Sequence, residues 1–393
     1  MAETFSDALR ALRTERHLSQ RALAALAHVD SGHLSRIEAG TRPPSAAFAA
    51  AVDAALNADG QLVAYALDAA DLAARESARL SDMLCGRPGT EVIHTLENGT
   101  RRLAVEYLTA APAAMMHGSG ELRRAAMRAL QRKTVNRPAA VTDVTLYAGY
   151  TSGVLAYGAL DLGDPGCALI HAQAAWDAAD AAGSNQLRAW VRGTQSLVTR
   201  FAGDYTRALA YAADGLAYAD TGTARTRLLC GVAQCHANMA DANGARGALD
   251  AAATAREQEK GVDDMPGLFA FSAAKQAYYS GSTLIWLDGK ADARRALAEA
   301  ERALTLWGAA DPLNRPQDDL ALAHVYAATA CLLLGELDRA VDWLAPILDL
   351  PADRRSSWIR KRMARVDGML AAPPFAGDAV AVDTRHRISA LAG

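Results

Sequence analysis

Five short segments in the second half of the chain repeat one pattern, in which a small residue follows a turn-forming residue. The segments are GDPGCAL, GDYTRAL, NGARGAL, GKADARRAL and GELDRAV, and their aligned alanines lie 40, 40, 48 and 44 residues apart. This period is typical of a unit made of a helix, a tight turn and a second helix, in which the alanine lets the paired helices approach closely. The aligned residues are Ala168, Ala208, Ala248, Ala296 and Ala340.

A Gly or Asn marks the predicted turn in each segment. In the fourth segment Gly289 lies seven residues before Ala296, and in the other four the turn residue lies five residues before the alanine. These four residues are Gly163, Gly203, Asn243 and Gly335. Residues 141–371 therefore predict a superhelical stack of helix pairs with one concave face.

The composition favours the same all-α interpretation. Hydrophobic residues make up 51% of the chain but aromatic residues only 6%, which suits closely packed helices better than sheets. The formal net charge is −3, so any contact with nucleic acid has to come from a local patch.

The first sixty residues predict a separate packet of short helices. Apolar spacing indicates helices over residues 5–17, 20–27 and 31–39, and Leu23, Ala24 and Leu26 are expected to face the core. Ser19, Asp30 and Ser45 stand where N-caps are expected, and Gly40 stands where the third helix should end.

Residues 5–58 resemble the Cro/CI-type (XRE) helix-turn-helix family. The match includes Gln20 at the start of the second helix, Leu23-Ala24, Val29, the run LSRIE from Leu34 to Glu38, and then Gly40, Arg42, Pro44 and Ser45. The family has Gly in the turn before Val29, where this chain has His28, at a position that needs a positive φ. The resemblance implies binding to double-stranded DNA through the third helix.

The same resemblance implies roles for individual side chains. Arg36 is the expected base contact, Gln20 the expected phosphate contact, and Arg13 with Glu38 an internal ion pair. For any single arginine, the alternative is a solvated surface charge. The predicted DNA-binding residues are Gln20, Arg21, Ser31, His33, Ser35, Arg36 and Arg42.

The charge count of the packet argues for two copies on DNA. Residues 1–60 contain six arginines and seven acids, so one copy should bind weakly at physiological salt. A homodimer would double the contacts and would fix the spacing of two half-sites.

The five repeat units resemble tetratricopeptide repeats, and the combination of head and repeats resembles a group of actinobacterial regulators and the RRNPP peptide-sensing architecture. That resemblance implies dimerisation and a peptide or small-molecule effector. It divides the chain into a DNA-binding domain at 1–60, a helical connector at 61–140, the repeats at 141–371 and a tail at 372–393. The alternative is an adaptor whose repeats bind a partner protein.

Residues on the inward face of the repeats are candidates for contact with an effector. Gln234 and Asn238 lie one helical turn apart and could hold a peptide backbone. For the aromatic candidates, the alternative is an ordinary role in the core. The candidates are Tyr150, Tyr157, Trp190, Arg200, Gln234, Asn238 and Tyr278.

No motif favours an enzyme, a metal site or a cofactor. HExxH, GxSxG and P-loop patterns are absent, and Asp263-Asp264 is expected to be a solvated pair in a loop. The five cysteines form no CxxC pair, and Cys230 and Cys235 are expected to be buried, reduced thiols. The charged N-terminus and the absence of a 20-residue apolar run favour a cytoplasmic protein without a membrane span.

Overall fold

The computed structural model describes residues 5–42, 44–58, 61–63, 65, 90–132, 135, 137–287, 289–351 and 354–391. The chain forms two compact units, residues 1–98 and 99–393. Residues 66–89 of the predicted helical connector lie outside the described residues. Across the described ranges every regular element is a helix, which confirms the all-α prediction. No helix among them is both long and apolar enough to span a bilayer.

The first unit begins with four short helices around one apolar core. They are α1 (Phe5–Glu15), α2 (Gln20–Leu26), α3 (Ser31–Glu38) and α4 (Ala46–Leu56). Leu9, Leu23, Leu34, Ile37 and Val52 are fully buried among them.

The predicted ends of these helices agree with the structure to within about two residues. Ser19, Asp30 and Ser45 each accept a hydrogen bond from a backbone N–H of the first turn, so all three predicted N-caps are confirmed. Gly40 ends α3 with φ 72°, and His28 has φ 53° in the position where the helix-turn-helix family has glycine.

Leu26 is the exception in this core. The prediction that it faces inward is wrong, because its side chain is 56% exposed. The inward face of α2 consists of Leu23 and Ala24, and Ala27 directly after the helix continues it. Residues at i, i+1 and i+4 share one helix face, which leaves the i+3 position at its edge.

The second unit is a stack of antiparallel helix pairs. Its helices are α6 (Pro112–Gln131), α7 (Pro138–Asp161), α8 (Pro165–Ala182), α9 (Asn185–Phe201), α10 (Tyr205–Gly215), α11 (Ala224–Asn238), α12 (Ala242–Glu257), α13 (Ala273–Leu284), α14 (Lys290–Gly308), α15 (Gln317–Leu334), α16 (Leu337–Leu348), α17 (Ser357–Ala371) and α18 (Ala379–Leu391). The pairs are α7 with α8, α9 with α10, α11 with α12, α13 with α14, α15 with α16, and α17 with α18. Helix α5 (Thr90–Glu106) precedes them and includes the residues on both sides of position 98.

The stack extends beyond the range assigned from sequence on both sides. Helix α6, placed in the connector from sequence, packs along α7. Helix α18, placed in the tail, packs against α16 and α17 and buries Ala381 and Ile388. Both segments lack the turn-and-alanine pattern that identified the five repeats, which is why the sequence did not assign them to the stack.

The third repeat has a different register from the predicted one. Ala168, Ala208, Ala296 and Ala340 are buried as expected, but the fully buried residue of the third repeat is Ala245, and Ala248 is half-buried. The turn residue with positive φ is Ala240 at 59°, and Asn243 lies inside α12. The sequence misled because this turn uses alanine where three other repeats use glycine.

The second unit closes on itself through hydrogen bonds between residues about 200 or more positions apart. The Gln317 N–H donates to the carbonyl of Leu108 at 2.8 Å, just after α5. The Arg354 Nη1 donates to the carbonyl of Thr109 at 2.6 Å, and the Ser357 hydroxyl donates to the carbonyl of Leu160 at 2.7 Å. The segment before α6 and the end of α7 therefore meet the start of α15 and the start of α17.

Helix α17 is the element that joins the ends of the inner helices. Ser357, Lys361 and Arg365 recur every four residues along one of its faces. Lys361 donates to the carbonyl of Phe201 at the end of α9, and Arg365 Nη2 donates to the carbonyl of Ile285 just after α13 at 2.8 Å. The carbonyls at a helix C-terminus have no partner within the helix, so this face of α17 satisfies three helix ends, counting Leu160 of α7.

Substitution of Ala240 by glycine should stabilise the protein. A left-handed backbone costs a residue with a Cβ about 1–2 kcal/mol, and part of that is offset by the larger entropy of glycine in the unfolded chain. We expect Ala240→Gly to raise the free energy of unfolding by about 0.5–1 kcal/mol in urea titrations of the full chain followed by circular dichroism.

The matched control is Gly203→Ala at the equivalent turn, where φ is 91° and a Cβ would meet no atom within 4 Å. This substitution should destabilise by at least about 1 kcal/mol. A lower unfolding free energy for Ala240→Gly would contradict the left-handed turn.

Candidate DNA-binding surface and ligand cavity

Helix α3 presents a row of small and basic side chains to solvent along one face. Ser31, Ser35 and Arg36 are exposed, and Gly32 lies one turn before Arg36 on the same side. The Asp30 carboxylate accepts the His33 N–H at 2.7 Å, which fixes the start of the helix. An exposed first turn without a bulky side chain is the part of a recognition helix that can approach base edges.

A single buried carboxylate, that of Glu38, holds this helix in place. Glu38 is 1% exposed and accepts the Arg13 Nε at 2.6 Å. The predicted ion pair between α1 and α3 is therefore confirmed. Arg10 Nη2 also donates to the backbone carbonyl of Glu38 at 2.6 Å, which adds a second link from α1 to the end of α3.

The structure uses Gln20 differently from the predicted phosphate contact. Its side-chain amide donates to Glu38 Oε2, so α2 joins the same carboxylate as α1 and α3. A buried carboxylate needs donors on both oxygens, and Gln20 supplies the one that Arg13 leaves open. Its position at the start of α2 is as expected, but its amide is engaged within the domain.

The other predicted DNA-binding residues divide into exposed and packed side chains. Arg21 and Arg42 are exposed with Ser31, Ser35 and Arg36. His33 is half-buried, and its ring stands edge-on to Phe48 with 5.1 Å between the ring centroids. His33 therefore helps to seat α3 on α4.

Burial changes the charge balance predicted for the packet. Glu38 and Asp53 are both buried, and Asp53 Oδ2 accepts the Leu62 N–H at 2.8 Å. Two of the seven acids are thus engaged within the domain. The exposed arginines of the described packet are Arg10, Arg16, Arg21, Arg36 and Arg42.

A comparison with protein families settles the nature of this packet. The helix-turn-helix domain family matches residues 4–66. This segment is a helix-turn-helix domain. The chain therefore carries an N-terminal helix-turn-helix domain, a fold that binds DNA. No curated protein matches the chain.

The comparison with solved structures concerns the whole chain. The chain resembles the structure described as "Human IFIT1 dimer with m7Gppp-AAAA", with a TM-score of 0.48 and 10% sequence identity. The similarity covers 100% of this chain and 78% of that chain.

The second unit encloses a cavity of about 90 Å³ among its inner helices. Its wall combines aromatic, acidic and basic side chains from both ends of the stack. The charged and hydroxyl-bearing residues of the wall are Tyr107, Tyr157, Asp161, Arg200, Lys275, Tyr278, Tyr279, Asp318, Asp319, Tyr326 and Ser356.

Four of the seven predicted effector residues line this cavity: Tyr157, Arg200, Gln234 and Tyr278. The phenol oxygen of Tyr157 accepts from Arg227 Nη2 at 2.9 Å, and Gln234 Nε2 donates to Ser282 at 2.6 Å. Part of the hydrogen-bonding capacity of Tyr157 and Gln234 is therefore used within the protein.

The other three predicted effector residues are placed elsewhere. Tyr150 and Trp190 pack against Phe269 with centroid distances of 4.8 and 4.4 Å and border a separate space of about 20 Å³. Asn238 is the last residue of α11 and is not in the wall of the larger cavity. Core packing was the open alternative for the two aromatic residues.

Three carboxylates of the wall were missed by the sequence analysis. Asp161 accepts a hydrogen bond from the Tyr107 hydroxyl, and burial together with Asp318 raises the pKa of Asp161 to about 8. Burial and Asp319 raise the pKa of Asp318 to about 6, and burial raises the pKa of Asp319. Lys275 Nζ lies 3.8 Å from Asp319 and opposes that rise only in part.

A signal for these acids was present but weak. Asp161 is the last residue of a long apolar helix, where an acidic residue is typical of a turn. Asp318 and Asp319 lie in the first turn of α15, where acidic side chains stabilise the helix N-terminus. Only the closure of the stack brings the two helix ends together. That closure depends on contacts between distant residues and leaves no local pattern.

Asp263 and the two cysteines of α11 have structural roles. Asp263 is not a solvated charge, because its carboxylate accepts the Thr223 N–H at 2.9 Å and the Thr223 hydroxyl at 2.8 Å. Cys230 and Cys235 are fully buried as predicted, and burial raises the pKa of Cys230 to about 12. Within the described ranges no group of His, Cys, Asp and Glu side chains could hold a metal ion.

Loss of the Arg13 guanidinium should loosen the helix-turn-helix domain. Arg13→Met leaves Glu38 buried with one donor fewer, which typically costs about 3 kcal/mol. Hydrogen-exchange mass spectrometry of the full chain should show faster exchange of the α1 and α3 amides. Exposed Arg16→Met is the control, with a change below about 0.5 kcal/mol. Equal exchange in both variants would refute a structural role for the pair.

Stability should fall as the pH rises because of the cavity carboxylates. The folded protein keeps a proton on Asp161 up to pH of about 8, whereas the unfolded chain loses it near pH 4. The folded state therefore binds more protons in this window, and its stability decreases from pH 4 towards pH 8. We expect Asp161→Asn to flatten this dependence and to stabilise the protein at pH 8.5 by at least about 1 kcal/mol.

Urea unfolding at pH 5.5 and pH 8.5 measures this difference. Exposed Asp338→Asn is the matched control and should leave the wild-type pH dependence unchanged. A wild-type slope that persists in Asp161→Asn would show that the proton is held elsewhere.

Proposed function

We propose that the chain is a cytoplasmic, sequence-specific transcriptional regulator of the XRE type, which binds double-stranded DNA as a homodimer and whose repeat unit binds an effector. The observation that carries this proposal is the helix-turn-helix domain with an exposed α3. Arg36 is the proposed base-reading residue. Its guanidinium can donate two hydrogen bonds to guanine, which is the commonest specific contact in the major groove.

The other exposed residues would position the domain on the DNA. Ser31 and Ser35 lie one turn apart on α3 and can donate to a base edge or a phosphate. Arg21 and Arg42 are proposed phosphate contacts. Gln20 and His33 would act indirectly, since Glu38 and Phe48 respectively engage their side chains.

The charge of the domain supports the proposed homodimer. Few basic residues per copy mean few phosphate contacts, and the affinity of non-specific binding falls steeply with salt. Two copies bound to two half-sites would bring the affinity into the range of specific regulators, and the operator would then be a palindrome or near-palindrome.

The charged cavity supports the proposed effector role of the second unit. Partly buried carboxylates and a buried arginine in the wall of one space are costly for a stack that only has to be rigid. A ligand that binds one conformation of the unit more tightly than another would shift the population of DNA-binding states.

Replacement of Arg36 tests the proposed base contact. The full chain is used to select binding sites from a random duplex pool, and fluorescence anisotropy then measures the affinity for the selected site and for a scrambled duplex. Arg36→Ala should lose about 5- to 150-fold in affinity for the selected site, as expected for loss of ~1–3 kcal/mol, and little for the scrambled duplex.

Arg36→Lys separates base reading from charge. Lysine can replace a phosphate contact but not the planar two-donor fork, so it should retain the salt dependence without restoring selectivity. Arg207→Ala in the repeat unit is the control. Wild-type selectivity in Arg36→Ala, or no enriched sequence for the wild-type chain, would refute the proposed contact or the proposed function respectively.

A further inference from the structure

The side chain of Arg200 is a buried charge without an acceptor. It belongs to the last turn of α9, is 8% exposed, and lines the cavity. Within the part of the chain that the structure describes, its guanidinium makes no hydrogen bond and no ion pair. The guanidinium stands over the face of Trp358, with its central carbon 5.2 Å from the ring centroid.

The surroundings of Arg200 make an anion at this position favourable. Burial and the neighbouring Arg362 lower the pKa of Arg200, so nothing close by offsets its charge fully. The aromatic face of Trp358 and the C-terminal end of α9 are favourable to a cation. Neither supplies the oxygen atoms that five guanidinium protons require.

The acids form a second group in the wall of the cavity. Asp318 and Asp319 carry the negative charge there, with Lys275 Nζ 3.8 Å from Asp319, whereas the raised pKa of Asp161 leaves that carboxyl protonated near neutral pH. Within the described ranges Arg200 forms no ion pair with these acids, because it stands over Trp358 and Lys275 is the cation beside Asp319.

Helix α15 indicates how far a ligand could extend from the acids. Asp318 and Asp319 lie in its first turn, and Tyr326, which also lines the cavity, lies seven residues after Asp319. Seven helical residues span about 10 Å. A ligand that reaches from the acids along this wall would therefore span up to about 10 Å, which is the length of two to three extended residues.

The cavity limits the size of that ligand. A space of about 90 Å³ corresponds to about six to nine water positions at ~10–15 Å³ each. Tyr157, Tyr278 and Tyr326 also line it. A ligand of about six to nine heavy atoms fills this space, which excludes a long peptide.

We propose that the cavity binds a small elongated zwitterion, with its carboxylate on Arg200 and its ammonium group among Asp161, Asp318 and Asp319. An ω-amino acid or a dipeptide has this arrangement. The inference deepens the proposed effector role and rests on it for its regulatory meaning, but binding itself requires neither DNA nor the helix-turn-helix domain.

Isothermal titration calorimetry of the full chain without DNA tests the proposal with charge-matched probes. 5-Aminovalerate and glycylglycine have both charges, pentylamine has only the cation, and pentanoate has only the anion. We expect the two zwitterions to bind at least tenfold more tightly than either singly charged probe. Glycine, whose charges are too close together, should bind more weakly than 5-aminovalerate.

Two variants should change the preference in different directions. Arg200→Gln should weaken 5-aminovalerate at least tenfold and leave pentylamine unchanged, so that the zwitterion loses its advantage over the amine. At pH 7.5, Asp318→Asn should remove most of the advantage over pentanoate, because it removes a negative charge from the proposed ammonium site. Arg207→Gln and Asp338→Asn, both on exposed side chains, are the controls and should bind as the wild type does.

Thermal melting of each variant verifies that it is folded. If Arg200→Gln does not fold, Arg200→Lys replaces it and should bind the zwitterion more weakly than the wild type does, because lysine keeps the charge but lacks the planar two-donor fork. Absence of binding by both zwitterions, equal binding by pentylamine, or equal affinities in wild type and Arg200→Gln would overturn the proposal. Arg36-dependent DNA selection would be unaffected by these results, so the failure of one proposal is distinguishable from failure of the other.

Discussion

Three inner helices of the repeat unit end beside α17, and α17 provides a donor for each of them. Ser357, Lys361 and Arg365 lie on one face of that helix and donate to the carbonyls of Leu160, Phe201 and Ile285. The last carbonyls of a helix lack an N–H partner within the helix, and that of Leu160 also accepts the Gly163 N–H at 2.9 Å. Because α17 comes late in the chain, these contacts join residues 197, 160 and 80 positions apart.

That dependence also explains the chemistry of the cavity. Joining the end of α7 to the start of α17 brings Asp161 near Asp318, and burial is the first cause of the raised pKa of each carboxyl. The same burial isolates Arg200. The polar groups of the interior thus follow from the closure of the stack, since an open superhelix would leave them in water.

The local features of the fold were predictable, and the long-range ones were not. Caps such as Ser19 and Asp30 and the ion pair of Arg13 with Glu38 follow from residue types at fixed spacing. The register of the third repeat failed because Ala240 adopts a backbone conformation that the sequence marks with glycine elsewhere. The acids of the cavity were not predicted because their proximity depends on closure of the unit. The hydrogen bond from the Gln20 amide to the buried Glu38 carboxylate was not predicted either.

The shared carboxylate of Glu38 has a consequence for how the recognition helix finds its target. Side chains from α1 and α2 meet on one residue of α3, so the orientation of α3 is fixed by the fold before any duplex is present. Association with DNA then requires little ordering of the domain, and less conformational entropy is lost at that step. Selectivity among duplex sequences should therefore reflect the match between a preset surface and the groove more than adaptation of the protein.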